Sequence, residues 1–154
     1  MAKFMLASLF LLLILMSCGP RPQANLNILM IRENQGLALP VHAITVDESL
    51  HIELDNITVE EWMVGEKANT MTGINRRVLR QAEAEFLAVS RAAGRNDIMV
   101  LADFPETDDQ DRQKLFIGKK YYSAKNIYIL VDRERVRIVE KDTFDDYLNR
   151  RRGN

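Results

Sequence analysis

The sequence predicts a mainly β domain carrying one or two short helices, set behind an N-terminal segment that does not belong to it. Three observations predict this. Apolar residues recur with a period of two in several short runs between 25 and 55, bounded by Gly, Pro, Asn and Asp. The run Ile98-Met99-Val100-Leu101-Ala102-Asp103-Phe104 is apolar almost throughout, as a central strand covered on both faces would be. Residues 126–131 and 136–139 are two further apolar runs, and Asp132-Arg133-Glu134-Arg135 between them supplies a hairpin turn.

The segment in front reads as a targeting signal. Lys3 precedes an unbroken apolar stretch over residues 4–16, shorter than the ~20 residues a membrane-spanning helix needs. A positive start, an apolar run and a small residue at its end are the parts of a secretory signal peptide. The end of that run, Leu15-Met16-Ser17-Cys18, resembles a bacterial lipobox. The resemblance implies that Cys18 is diacylated on sulfur, becomes the first residue after cleavage, and is then acylated on nitrogen. Gly19 in place of an aspartate resembles the outer-membrane sorting outcome of enteric bacteria. Cys18 is also the only cysteine, and an unpaired thiol is out of place in a secreted protein unless lipid consumes it. The expected organisation is therefore a lipoprotein signal peptide over 1–17, an acylated cysteine and tether over 18–24, and a single domain over 25–154. Pro20 and Pro22 keep the tether extended.

Within the domain each element has its own signal. Residues 25–31 form a short apolar-rich strand, and Glu33-Asn34-Gln35-Gly36 supplies turn residues after it. Residues 40–46 form the next strand, with Val41, Ala43 and Thr45 on one face and His42, Ile44 and Val46 on the other; Pro40 fits at its first position. Leu50, Ile52 and Leu54 alternate with polar neighbours, a third period-two run that predicts a strand. Thr58 with Glu61 makes a capping box, opening a short helix that carries Trp62 and Met63 and stops near Gly65. Residues 76–93 are helical by propensity but alternate as a strand would at Phe86, Leu87, Ala88, Val89 and Ser90, and both readings stand at this point. Residues 143–152 read as a C-terminal helix: Asp145 and Asp146 lie near its start, arginines at its end, and Phe144, Tyr147 and Leu148 share one face.

Composition narrows the function classes. The net charge is −1, and dropping Lys3 leaves −2, so no basic excess points to nucleic acid. Catalytic chemistry is thinly supplied. Ser49, Ser90 and Ser123 lie in no Gly-x-Ser-x-Gly context, and Ser49 beside His51 on a strand would share its face without a third, orienting group. His42 and His51 with Asp47, Glu48, Glu53 and Asp55 lack metal-site spacing. The acidic run Glu106-Thr107-Asp108-Asp109-Gln110-Asp111 lacks the glycine and distal glutamate of a calcium loop. Gly118-Lys119-Lys120 lacks the remainder of a phosphate loop. No enzyme activity, cofactor or small-molecule substrate is expected.

Several stretches in order resemble the outer-membrane lipoprotein of type VI secretion systems, the TssJ family. They are the lipobox; Asn34-Gln35-Gly36 followed by Leu39-Pro40-Val41; the aromatic short helix around Trp62; and Val78-Leu79-Arg80 with Glu83, Leu87 and Val89, followed by the 98–104 run. Asn126-Ile127-Tyr128-Ile129 with residues 136–139 is similar to the family's closing strands. Gln81-Ala82 stands where the family has Pro-Gly, and the charged tail helix is an addition. The resemblance implies a transthyretin-like β-sandwich, lipid-anchored at the periplasmic face of the outer membrane, with no catalytic role. It implies a scaffold whose first inter-strand loop, here Glu33, Asn34, Gln35, Gly36 and Leu37, docks a periplasmic domain of a large inner-membrane component. Two readings compete: a periplasmic solute- or glycan-binding lipoprotein, which would need Trp62, Tyr121 and Tyr122 to converge on a pocket, and an envelope hydrolase or its inhibitor, which would need a convergent polar cluster with His42 and His51.

Overall fold

A computed structural model describes residues 22–31, 38–80, 84–91, 94–104, 109–132 and 135–152. Eight strands form two four-stranded sheets. The first sheet contains β1 (Gln23–Met30), β4 (Ala84–Ser90), β7 (Asn126–Val131) and β8 (Val136–Val139), in the order β4-β1-β7-β8. The second contains β2 (Leu39–Val46), β3 (Ile74–Leu79), β5 (Asp97–Ala102) and β6 (Lys114–Ile117), in the order β3-β2-β5-β6. Every neighbouring pair is antiparallel except β1 with β7, which run parallel from Asn25 opposite Asn126 to Met30 opposite Val131.

The period of two sorts each strand between two environments. Ala24, Leu26, Ile28 and Met30 of β1 turn toward the second sheet and meet Val41 and Ala43 of β2, Ile98 and Val100 of β5, and Ile127 and Ile129 of β7 in one inter-sheet core. Each of the Val, Leu, Ile and Met side chains among them contributes roughly 1.5–3 kcal/mol on burial. Because Cys18 is the only cysteine, this packing carries the domain without a disulfide.

The outer faces are covered as well. Across the second sheet lie α1 (Glu48–Asn56), α2 (Val59–Val64) and α3 (Glu66–Thr70), and Leu50, Leu54, Val59, Trp62 and Ala68 pack there on Ile44, Val46, Met99 and Leu101. Across part of the first sheet lies the tail helix α5 (Lys141–Arg152), after the one-turn α4 (Gln110–Gln113). Its Phe144 buries against Leu29 and Leu130, with Tyr147 and Leu148 on the same face as expected.

Two expectations resolve here. The 48–56 segment is a helix, not the predicted strand. Asp47 caps it, its carboxylate accepting from the Leu50 N–H at 2.9 Å. Leu50 and Leu54, four residues apart, bury together while Ile52 between them is 56% exposed. Alternation at three positions satisfies an i, i+4 helical face equally well. The ambiguous 76–93 segment is strand over 76–79 and 84–90: Leu87 and Val89 are fully buried and Phe86 is 54% exposed. Inter-sheet burial overrides helical propensity worth only tenths of a kcal/mol per residue. The capping box at Thr58 and Glu61 forms as expected, as does the β7–β8 hairpin. The short elements α3, α4 and β6 carried no sequence signal.

Candidate functional site

The sandwich has two ends of different chemistry, and β1 links them. At the far end, β1 closes with the Ile31 N–H donating to the Val131 carbonyl at 2.9 Å. Leu39 opens β2 opposite Leu79, and the Pro40 carbonyl accepts from the Asp103 N–H at 3.1 Å. The β1–β2 connection therefore crosses from one sheet to the other at this end. Glu33, Asn34, Gln35, Gly36 and Leu37, the expected docking residues, lie in it and outside the described residues. Flanking the crossing, Asp132 holds the β7–β8 turn, accepting from the Arg135 N–H and from Arg137 Nε, each at 2.9 Å. That carboxylate holds the Arg137 guanidinium above its ordinary pKa.

At the opposite end the chain joins the sandwich. Cys18 also lies outside the described residues, but its side of the chain is located by Pro22, whose carbonyl accepts from the Arg91 N–H at 2.8 Å. The Asn25 N–H donates to the Lys125 carbonyl at 2.9 Å. Arg91 knits this end together: Nε donates to the Asn96 carbonyl at 2.9 Å and the terminal nitrogens to those of Tyr121 and Tyr122 at 3.3 and 3.4 Å. Burial lowers the Arg91 pKa from its ordinary value. The Tyr122 hydroxyl donates to Asp97 Oδ1 at 2.8 Å, and its pKa is raised first by burial, then by that bond and charge. β1 begins at Gln23, two residues inside the stretch expected to be tether. Its eight residues separate the two ends by about 26 Å.

The serines, histidines and carboxylates of the chain do not form a catalytic cluster among the described residues. His42 is buried, and its Nδ1 accepts from Trp62 Nε1 at 3.2 Å. Burial, then the Arg76 charge, lowers its pKa to about 4, so at neutral pH it is a neutral hydrogen-bond acceptor in the core. His51 stacks on the Phe116 ring, centroids 4.2 Å apart and planes within 6°, with Nε2 3.3 Å from Asp55. Because 48–56 is helical, Ser49 and His51 are separated by about 200° around its axis and do not share a face as the strand reading required. Asp47 pairs with Arg95 at 2.9 Å and Glu53 pairs with Lys67. Among the described residues no three His, Cys, Asp or Glu side chains are grouped to hold a metal ion, and no described helix is long and apolar enough to cross a membrane.

The aromatic residues do not converge either. Trp62 lies under the helices on the second sheet, Tyr121 packs on the inter-sheet core, and Tyr122 faces Asp97 at the chain-joining end. That end carries the exposed lysines Lys119, Lys120 and Lys125, of which the sequence singled out only Lys119 and Lys120, as a phosphate-loop fragment. No sequence signal marked them, because the pairing of β7 alongside β1 that brings them to this end is a tertiary contact.

No family profile and no curated protein sequence matches the chain. Solved structures do match. A chain of a structure described as a type VI membrane complex superposes with a TM-score of 0.63 at 12% identity, covering 77% of this chain and 98% of that one. Lip from Serratia marcescens, described as a membrane-bound component of the type VI secretion system, gives 0.60 at 13%, covering 79% and 98%. The type VI lipoprotein TssJ1 from Pseudomonas aeruginosa gives 0.54 at 9%, covering 77% and 96%. The chain thus has the β-sandwich fold of the TssJ lipoproteins of type VI secretion.

Proposed function

We propose that this chain is a lipid-anchored scaffold of a type VI secretion membrane complex. Acylated Cys18 holds it at the periplasmic face of the outer membrane, and the β1–β2 crossing, residues 33–37, docks the periplasmic domain of the inner-membrane component. The observation that carries the reading is the fold itself: nearly the whole length of solved type VI lipoproteins superposes on it. The arrangement of ends supports it. The chain joins the sandwich at one end, and the proposed docking residues connect β1 to β2 at the other. An anchor so placed confines the docking loop near its partner, raising effective concentration without further contacts. The reading assigns the protein no catalysis and no cofactor.

The test is binding of the mature chain to the periplasmic domain of the type VI inner-membrane component, by calorimetry or interferometry. Saturable binding is expected, weakened at least ~10-fold by Glu33→Arg or Leu37→Asp, the loss typical of a docking hot spot. Glu140→Arg, at the opposite end, should leave it unchanged. A folded chain that does not bind would sink the scaffold reading.

A further inference from the structure

Resting on the lipid-anchor reading above, we propose that the chain-joining end of the sandwich is itself a membrane-contact surface. In it, Lys119, Lys120 and Lys125 engage the headgroups of anionic phospholipid around the acyl anchor. The geometry is fixed from both sides of the tether. Pro22 is held by the Arg91 backbone and Asn25 by that of Lys125, so the 118–125 connection from β6 to β7 runs beside the point where the tether leaves. A single turn of 3-10 helix, Lys119–Tyr121, sets its shape: the Tyr121 N–H bonds the Gly118 carbonyl at 2.9 Å and the Tyr122 N–H that of Lys119 at 3.2 Å.

The three lysines are exposed. Among the described residues none of them has an ion-pair partner; Lys120 Nζ lies 5.4 Å above the Tyr121 ring. Asp97 beside them is engaged by the Tyr122 hydroxyl. Other acids near this end are Asp47, which follows Val46 opposite Asp97 and pairs with Arg95, the exposed Glu48 beside it, and Glu140 and Asp142, which follow β8 on the far side of β7 from β1 with Lys141 between them. Half-buried tyrosines beside exposed lysines suit a water–lipid boundary, where an apolar ring and a polar tip are both satisfied. Pro22, Gln23, Asn25 and Lys125 line a cleft of about 240 Å³ at the same place, below the ~300 Å³ of ordinary small-molecule pockets but open to a headgroup.

Distance decides whether attraction can act. Four peptide steps from Cys18 to Pro22 reach at most roughly 14 Å. The headgroup layer takes about 6 Å of that. The remaining ~8 Å is about one Debye length at physiological ionic strength, so the lysines feel an anionic surface and can close onto it. A cation near such a surface is worth about 1 kcal/mol, or roughly five-fold, and three together on the order of 100-fold in favour of the docked orientation.

The test uses the acylated full mature chain on vesicles, with a membrane-impermeant amine-reactive reagent and mass spectrometry of each lysine. On vesicles containing phosphatidylglycerol, Lys119, Lys120 and Lys125 should react at least ~5-fold more slowly than on pure phosphatidylcholine, with Lys67 as the unshielded control and protection lost in high salt. Equal rates on both vesicle types would overturn the inference, since protection would then come from tether length alone. Slowing at Lys67 to the same degree would overturn it too. The same spectra report the acyl mass on Cys18, so a failed anchor is distinguished from a failed contact surface. The partner-binding assay stands apart from both.

Discussion

Acidification should destabilise this protein through one side chain, His42. It is 8% exposed and accepts from Trp62 Nε1 through Nδ1. Its pKa falls from 6.5 to about 4, first by burial and then by the Arg76 charge; protonating Nδ1 would also set two N–H donors against each other. In the unfolded chain the imidazole titrates at its ordinary value. Between pH 6.5 and pH 4 the unfolded state therefore binds a proton that the folded state does not, and stability falls as pH falls, by up to 1.36 kcal/mol per unit. Integrated from pH 7.5 to pH 4.5, the loss from this group alone is roughly 2.5 kcal/mol, a large fraction of the stability of a typical domain. The assay is urea denaturation at the two pH values, followed by the fluorescence of Trp62, the only tryptophan. His42→Gln retains an acceptor for Trp62 without titrating, so its loss over the interval should be smaller by about 2.5 kcal/mol. Asp47 and Glu61, whose pKa values are lowered chiefly by backbone hydrogen bonds from Leu50 and Thr58, act in both proteins and cancel. Equal pH dependence in the two proteins would refute the reasoning.

Two further substitutions test how the helical layer is held on the second sheet. Thr58→Ala removes the capping box, in which the Thr58 hydroxyl accepts from the Glu61 N–H at 3.0 Å and Glu61 accepts from the Thr58 N–H at 2.8 Å; urea denaturation should show a loss of about 1 kcal/mol. Lys114→Met should lose about 1–3 kcal/mol in the same measurement. Its ammonium donates to the carbonyls of Leu54, Asp55 and Ile57 at 2.7, 3.2 and 2.7 Å, closing the C-terminal end of α1, and methionine keeps the stem but not the donors. An unchanged midpoint for Lys114→Met would mean that water satisfies those carbonyls equally well.

The sequence by itself determined what local chemistry controls. The β2 strand was legible from its alternation after Pro40, and β1 and β5 from apolar runs, that of β5 unbroken because both of its faces are covered. The α2 start was legible because Thr58 and Glu61 satisfy each other across one turn. The tail helix was legible from Phe144, Tyr147 and Leu148. The mainly β class and the type VI resemblance followed from the order of these elements, and the fold comparison agrees. Tertiary structure alone decided what depends on partners distant in the chain. Leu50, Ile52 and Leu54 fit either a strand or a helix until Asp47 capped the segment and the second sheet took Leu50 and Leu54. Residues 84–90 became strand because Leu87 and Val89 found the inter-sheet core, where burial worth kcal/mol outweighs propensity worth tenths. His42 was one more polar residue until Trp62, twenty positions on, folded over it. Lys119, Lys120 and Lys125 came beside Pro22 and Asn25 only when β7 paired parallel to β1. Local periodicity is written in the chain, whereas which face is covered, and by what, is settled only when segments far apart in sequence compete for the same apolar surface.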